Sequence, residues 1–418
     1  MKIAIIGAGI SGLTAAYVLN REHDITLYEA DDRVGGHTAT KDVNFNGRDY
    51  AIDTGFIVFN DWTYPSFKAL LKQIGVDYQP AEMGFSVTCE LSGLEYSGNN
   101  LNAMFAQRRN LFKLSHWQMI SDILKFNKEA LADVGSGGDY LDMTLGDYLS
   151  EKSYSEAFIE KYLIPMGAAI WSASCSVIKK FPLQFFVCFF RNHGLLSVND
   201  RPQWHVIKGG SRSYIDPLIE GFKDKVKTNS PVMSIVRHCD GVTVKTADAS
   251  QRYDQIVIAT HSDQALRMIA DASTAEKNIL TSIPYQKNEV VLHTDTSILP
   301  KKRSTWSSWN YRIVSNDHDD GLLPVLTYDM NILQSIDSDD TFCVTLNNTE
   351  AIDKSKVLGT YYYDHPVFSV AGINAQQRWS EINGVNRTWF CGAYWGNGFH
   401  EDGVVSALKV TKEFGVSL

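Results

Sequence analysis

The sequence predicts an α/β fold in which a parallel-sheet domain is joined to a second region of mixed sheet and helices. Three observations support this class: a βαβ pattern fills the first thirty residues, helical and strand-like patterns follow one another through the middle, and a strand, a Gly turn and a helix close the chain. No repeat, low-complexity tract or long linker separates these parts. The two domains are therefore expected to be interleaved along the chain.

Composition and charge exclude several classes of protein. The 418 residues are 44% hydrophobic and 21% charged, which is typical of a globular chain of two or three domains. The net charge of −9 argues against nucleic acid as the main partner, because binding phosphates requires a basic surface. The 6 Cys are scattered without a C-x-x-C pair, and no apolar run approaches the ~18 residues of a membrane span. These features predict a cytoplasmic protein.

The N-terminal βαβ pattern contains a dinucleotide-binding fingerprint. Its parts are an apolar strand, a Gly-x-Gly-x-x-Gly turn, a helix and a second strand ending at an acid: residues 3–6, 7–12, 13–20, 25–28 and Glu29. Gly7 permits the tight turn, Gly9 lets the backbone approach a pyrophosphate, and Gly12 lets the helix pack closely on the strand. Glu29 stands where a carboxylate can bind ribose hydroxyls.

The residues after this unit carry a resemblance to a known superfamily. The chain continues Arg33-Val34-Gly35-Gly36-His37-Thr38, and Glu-x-x-x-Arg-x-Gly-Gly after such a fingerprint resembles FAD enzymes of the amine oxidase, protoporphyrinogen oxidase and phytoene desaturase superfamily. In that superfamily an Arg usually follows the paired Gly, whereas this chain has His37. Three further segments resemble the superfamily in the expected order: residues 53–56, residues 253–260 with Val232 upstream, and residues 392–404.

The resemblance implies FAD as the cofactor, held without a covalent bond in a Rossmann-type domain. The domain is expected to comprise residues 1–64, 203–270 and 385–418, and residues 65–202 and 271–384 are expected to form the substrate domain. The implied FAD contacts are Gly7, Gly9, Ile10, Ser11, Gly12, Glu29, Ala30, Arg33, Gly35, Gly36, His37, Thr38, Gly55, Phe56, Val232, Ala259, Thr260, Gly392, Asp402, Gly403 and Val404. Asp402 has an alternative role, because an acid before Gly403 can cap a helix that opens there.

Aromatic residues suggest an apolar substrate site. The five Phe within residues 181–190 form either a helix core or the wall of a hydrophobic pocket. Other aromatic residues suit a pocket that keeps water from a flavin: Trp306, Trp309, Tyr311, Tyr328, Tyr361, Tyr362, Tyr363, Tyr394 and Trp395. We expect Trp309, Tyr311 and Trp395 to contact substrate.

His400 and Tyr394 are the candidate catalytic residues. A His near neutral pKa beside a flavin can accept a proton, although His400 can equally serve to hold the Gly-rich turn. His293 is expected to be a core residue. No metal site is expected: the acidic stretch at residues 316–321 lacks the ligands of a calcium loop. No Lys matches the one that amine oxidases often place near the flavin.

The predicted function is hydride transfer from a hydrophobic substrate to FAD, which oxygen or another acceptor then reoxidises. The chain resembles bacterial FAD-binding proteins associated with cyclopropane-type fatty-acid methyltransferases, which implies desaturation of a lipid acyl chain, with a methylated fatty acid as one form. The alternatives are an amine or tetrapyrrole oxidase and a flavin-binding sensor or scaffold without turnover. In the pocket-wall alternative, the Phe-rich stretch follows Lys179 and Lys180, which adds peripheral membrane contact to the expectations.

Overall fold

The computed structural model describes residues 1–136, 140, 143–314 and 322–418. The strands are, in chain order, β1 (Lys2–Ile6), β2 (Asp24–Tyr28), β3 (Thr40–Phe45), β4 (Arg48–Asp53), β5 (Val58–Asn60), β6 (Tyr78–Ala81), β7 (Phe85–Cys89), β8 (Leu94–Ser97), β9 (Trp204–Ile207), β10 (Val226–Lys227), β11 (Ser234–His238), β12 (Gly241–Lys245), β13 (Ser250–Tyr253), β14 (Gln255–Ile258), β15 (Tyr285–His293), β16 (Trp309–Ile313), β17 (Val325–Asp329), β18 (Cys343–Leu346), β19 (Val357–Pro366) and β20 (Thr388–Phe390).

The helices are α1 (Ile10–Leu19), α2 (Pro65–Gln73), α3 (Leu101–Met104), α4 (Leu114–Ser136), α5 (Leu145–Glu151), α6 (Glu156–Phe158), α7 (Ile164–Trp171), α8 (Cys175–Lys179), α9 (Leu183–Asn192), α10 (Ile215–Ile219), α11 (Ser262–Met268), α12 (Thr274–Thr281), α13 (Met330–Leu333), α14 (Val370–Gln377), α15 (Trp379–Ile382) and α16 (His400–Glu413).

A parallel five-stranded sheet, in the order β10-β2-β1-β14-β20, forms the centre of one half of the molecule. Its central strand β1 is apolar throughout its buried length because both faces are covered. Ile3 and Ile5 pack with α1, α2 and α16, whereas Ala4 and Ile6 pack with α11 and α12. The strands come from three distant parts of the chain, which agrees with the interleaving expected from the sequence.

A seven-stranded mixed sheet forms the second half, in the order β19-β15-β18-β17-β16-β7-β8. One part of this sheet packs against the helical region α4–α9, in a core that includes Phe158, Phe186 and Tyr311. Residues 181–190 lie in this core, and Phe181, Phe186 and Phe190 are almost fully buried. The helix-core alternative for the Phe-rich stretch is therefore confirmed.

Most predicted elements are present, with shifts at several boundaries. The strands β7 and β8 are joined by a turn that contains Ser92 and Gly93, and α2 begins at Pro65, a residue type favoured in the first turn of a helix. The first helix begins at Ile10, three residues before its predicted start, directly after the extended Gly9. The long strand β19 was not predicted, and the stretch compared with a calcium loop lies outside the described residues.

The last helix was predicted to open at Gly403, but α16 begins at His400. Asp402 therefore lies in its first turn and is not the residue that precedes it. Its side chain nevertheless accepts a hydrogen bond from the Phe399 N–H at 2.9 Å, so the expected capping is provided from inside the helix.

Within the described part of the chain, every helix is too short or too polar to cross a membrane.

Candidate cofactor and substrate cavity

A cavity of about 780 Å³ lies between the two sheets. One end is lined by residues that follow the carboxyl ends of the parallel strands β1, β2, β14 and β20, where α/β sheets bind ligands. The other end is lined by strands β15 to β19 of the mixed sheet and by the last turn of α7. A single space therefore joins the glycine fingerprint to the mixed sheet.

The glycine turn leaves room for a ligand. A side chain added to Gly9 would meet no atom within 4 Å, so its Cα faces open space in the cavity. A side chain added to Gly12 would stand 1.8 Å from the Gly7 carbonyl oxygen, so the close packing of α1 requires glycine there. Because α1 begins at Ile10, its free N–H groups lie beside the space at Gly9. This cradle fits the diphosphate of FAD.

Glu29 and Arg33 both line the nucleotide end of the cavity. The Glu29 carboxylate accepts hydrogen bonds from the Ala8 N–H at 2.7 Å and the Asp31 N–H at 3.0 Å, which fixes it beside the glycine turn. The Arg33 guanidinium donates to the Gly36 carbonyl oxygen at 2.8 Å. These bonds orient an acid for ribose hydroxyls and a cation near the phosphate cradle.

The structure brings most of the implied FAD contacts together in the cavity wall: Gly7, Gly9, Ile10, Ser11, Glu29, Ala30, Arg33, Gly36, His37, Gly55, Phe56, Val232, Ala259, Thr260 and Gly392. The other six, Gly12, Gly35, Thr38, Asp402, Gly403 and Val404, are not among the residues that line it. Gly403 packs against α1, since an added side chain would stand 2.8 Å from Ile10 Cγ2. The individual FAD contacts stay predictions.

Asp402 faces a smaller cavity of about 390 Å³. The two cavities share Tyr64, Asn397 and Phe399 in their linings, so the smaller one lies directly beside the main one. Burial raises the pKa of Asp402 to about 6.

Three histidines form a cluster in the cavity wall where the two sheets meet. The ring centroid of His37 lies 6.1 Å from that of His261 and 5.5 Å from that of His365. Burial lowers the pKa of His37 and His261 to about 4 and that of His365 to about 3, so all three are neutral at pH 7. The cluster therefore presents uncharged imidazoles where the superfamily usually has an arginine after the paired Gly.

Both predicted catalytic residues line the cavity, in positions that restrict their chemistry. His400 stacks on Phe56 at 3.5 Å, and its Nε2 lies 3.0 Å from Thr38 Oγ1 and 3.2 Å from the Tyr214 hydroxyl. Burial lowers the pKa of His400 well below its usual range, and burial raises the pKa of the Tyr394 phenol. A proton-transfer role for either residue stays a prediction.

The apolar end of the cavity differs from the one predicted. Trp309 lines it, as expected, together with Trp171 and Phe368. Tyr311 is buried in the core beside the Cys175 sulfur, and Trp395 is also absent from the lining, so neither of these two predicted substrate contacts lines the cavity. The side chains of residues 181–190 do not line the cavity either.

The Phe-rich stretch supports the cavity from behind. Trp171 packs its indole against Phe181 at 5.1 Å and against Phe189 at 4.6 Å between ring centroids. The alternative in which residues 181–190 themselves form the pocket wall is wrong, because one aromatic layer separates them from the cavity.

Sequence reasoning did not find several lining residues: Trp171, His261, Tyr285, His365 and Phe368. His261 directly follows the matched segment at residues 253–260, so that motif could have indicated His261 as a lining residue. Trp171 and Phe368 come from segments distant in sequence: Trp171 ends α7, which packs on β16, and Phe368 follows β19.

The charged side chains around the cavity are few. Its lining includes Glu29, Asp31, Arg33, Asp364 and Arg267, but no lysine among the described residues. Over the same described ranges, no group of three or more His, Cys, Asp or Glu is arranged to hold a metal ion.

Comparison with known proteins places these features in a family. Residues 10–321 match the model for flavin containing amine oxidoreductases. The flavin-containing amine oxidase A of Sus scrofa is 22% identical over 328 residues, which are 74% of this chain and 58% of that protein. The chain spans less than two thirds of the length of the first curated relatives it matches.

Solved structures share the fold over nearly the whole chain. A fatty acid isomerase from P. acnes that produces CLA superimposes with a TM-score of 0.72 at 16% identity, covering 99% of this chain and 98% of the isomerase. A cyclohexylamine oxidase from Brevibacterium oxydans superimposes with a TM-score of 0.68 at 18% identity and covers 99% of each chain.

Proposed function

The chain belongs to the family of flavin containing amine oxidoreductases, and on that premise we propose that it is an FAD-dependent oxidoreductase that removes hydride from a hydrophobic substrate. We further propose that the substrate is a fatty acyl chain, with a methylated chain as one form, which the reaction desaturates.

The observation that carries this proposal is the continuity of the cavity. The phosphate cradle at Gly9 and the apolar wall formed by Trp171, Trp309 and Phe368 belong to the same space. A cofactor bound by its diphosphate at one end would therefore meet a substrate bound at the other.

The bound flavin supplies a hydride acceptor, which no amino-acid side chain can provide. The protein's part is to bind and orient the cofactor and the substrate and to exclude water from the space between them. Glu29 and Arg33 are fixed by backbone hydrogen bonds at the nucleotide end, and the aromatic wall keeps the reacting region apolar. Oxygen or another acceptor then takes the electrons.

The lining favours a chain over a small cation. Burying an ammonium group is costly unless a free carboxylate pairs with it. Of the three acids in the lining, Glu29 is already engaged by two backbone N–H groups and Asp31 lies next to it at the nucleotide end. Asp364 is thus the one acid that strand β19 adds to the lining, whereas Ile170, Val290 and Leu346 offer apolar contacts. A fatty acid isomerase shares this fold, so the fold is compatible with such a substrate. A substrate of this kind favours contact with a membrane surface.

Anaerobic reduction of the flavin tests the substrate class. The FAD-loaded protein is mixed without oxygen with fatty acyl esters of increasing chain length, and separately with benzylamine and putrescine. We expect bleaching by the esters, with affinity rising with length because each buried methylene contributes ~0.8 kcal/mol, or about fourfold. Trp171→Ala should weaken this response, whereas Trp395→Ala serves as a control outside the cavity. Fast bleaching by an amine with no response to any ester would reject the proposal in favour of amine oxidation.

A further inference from the structure

A group of large apolar side chains is exposed on a chain segment that is distant in sequence from the cavity-lining residues. Leu101 is 79% exposed, Phe112 91% and Leu114 82%, and Trp117 and Leu124 are also exposed. We call these five residues, with the cations described below, the basic–apolar surface. Single exposed apolar residues are ordinary, but five within 24 positions of one chain segment suggest a binding surface.

These side chains are not an extension of the core. Helix α4 packs against the helical region through Met119, Phe126 and Ala130. Leu114, Trp117 and Leu124 are three and seven residues apart, a spacing that places them on one side of a helix, opposite the buried side of α4. The helix is therefore apolar on two sides, and one of them faces solvent.

The same segment is basic. Residues 101–124 include Arg108, Arg109 and Lys113 against one acid, Asp122, in a chain whose net charge is −9. All three side chains are exposed. None of them takes part in an ion pair with the described residues; Arg108 and Arg109 donate to uncharged oxygens, such as the Phe105 and Gly93 carbonyls.

A second basic run lies next to this one. The short 3-10 turn Arg303–Thr305 packs against α3, which carries Leu101. The exposed Lys301 and Lys302 precede that turn, and their N–H groups donate to the Glu95 carboxylate on β8. Two segments about 190 residues apart in sequence thus place cations beside α3, which carries the exposed Leu101.

The surface is held in shape by hydrogen bonds between its side chains and its own backbone. The Trp117 indole N–H donates to the Leu111 carbonyl oxygen at 2.9 Å, and the His116 ring is 3.1 Å from the Met104 carbonyl oxygen. The connection between α3 and α4 is therefore fixed with Phe112 directed outward, so binding need not order this segment first.

We propose that the basic–apolar surface docks the protein onto an anionic lipid membrane. Apolar tips that enter the interface, a tryptophan at its level and a surrounding set of unpaired Lys and Arg are the features that such a surface recognises. The local charge complements anionic headgroups and opposes the charge of the rest of the chain. This inference stands on the surface alone and does not depend on which substrate the cavity binds.

Vesicle cosedimentation of the FAD-loaded protein tests the proposal. The probes are vesicles of phosphatidylcholine alone and of phosphatidylcholine mixed equally with phosphatidylglycerol. We expect binding to the anionic vesicles that weakens in high salt and falls at least about tenfold in Phe112→Asp/Leu114→Asp and in Arg108→Gln/Arg109→Gln. Val198→Asp and Lys223→Gln change exposed residues elsewhere and should bind like the wild type. Flavin content and circular dichroism verify that each variant is folded.

Three results would overturn the proposal. The first is equal sedimentation with and without anionic lipid, and the second is undiminished vesicle binding by both double variants. The third is a wild-type dimer that does not bind vesicles and that dissociates in Phe112→Asp/Leu114→Asp. The last result would assign the surface to a second copy of the chain. Because the assay measures lipid binding, its outcome is independent of the anaerobic bleaching that tests the proposed function.

Discussion

Individual glycines determine where a cofactor can approach the parallel sheet. Gly9 faces open space, whereas Gly7 has a φ of +97° and Gly12 lies against the Gly7 carbonyl group. The first glycine thus serves the ligand, and the other two serve the turn and the helix packing. A substitution at Gly9 separates these roles, because its backbone is extended and accepts any side chain.

We predict that Gly9→Val weakens FAD retention at least about tenfold while the chain still folds, because the branched side chain fills the phosphate cradle. The measurement is chromatography of the flavin released on denaturation, which should be FAD and not FMN in the wild type. Gly135→Val is a matched control, since Gly135 also has open space around an added side chain but lies far along the chain from the cavity-lining glycines. Normal FAD content in Gly9→Val would remove this residue from the site.

The buried histidines make stability depend on pH. Burial lowers the pKa of His365 to about 3, whereas an unfolded His titrates near ~6.5. Between these values the unfolded chain binds the extra proton, so the stability contributed by neutral His365 is complete above pH ~6.5 and is lost as the pH falls toward 3.

We therefore predict that His365→Asn reduces the slope of unfolding free energy against pH between 4 and 6 by up to about 1.4 kcal/mol per pH unit. Urea unfolding at several pH values measures the slope, and the exposed His238, changed to Asn, is the control. An unchanged slope in His365→Asn would mean that the folded protein does not hold the His365 imidazole in its neutral form.

At the scale of elements, the first turn of α16 connects the two halves of the site. It carries His400 in the wall of the main cavity, Asp402 in the wall of the smaller cavity and Gly403 against α1. The sequence indicates the residues of this turn but predicts the helix to open at Gly403. The helix begins at His400 instead, where the Phe399 N–H donates to the Asp402 carboxylate.

Asp402→Ala tests whether this carboxylate caps the helix or binds the cofactor. We expect the apoprotein to lose about 1 kcal/mol of stability, because the Phe399 N–H loses its acceptor, and we expect FAD content to remain normal. Asp402→Asn keeps an oxygen acceptor and should lose less. Loss of FAD from Asp402→Ala with unchanged apoprotein stability would assign Asp402 to the cofactor.

Strand β19 marks the limit of predictions from local sequence. Its residues Tyr361, Tyr362 and Tyr363 were predicted to be near the cavity, but the strand itself and the role of His365 were not predicted. The strand's long antiparallel pairing with β15 is a nonlocal contact, so its register is not visible in either segment alone.

For the whole molecule, the half built on the parallel sheet was predictable from the sequence, and the half built on the mixed sheet largely was not. The glycine fingerprint, Glu29 and Arg33 act through a local βαβ geometry that sequence spacing encodes. The apolar wall depends on which side of each strand and helix faces the cavity. Trp395 directly follows the lining residue Tyr394 and is still outside the lining. Trp171 lines the cavity although it comes from another region of the chain.

The central claim is that one cavity holds FAD at the glycine turn and an acyl chain against the aromatic wall. A crystal structure of the FAD-loaded protein with a long-chain acyl ligand tests it most directly. The claim predicts FAD diphosphate density beside Gly9 and acyl density between Trp171 and Trp309, reaching the flavin ring. Acyl density confined to another part of the protein, or a flavin whose diphosphate lies away from Gly9, would contradict it.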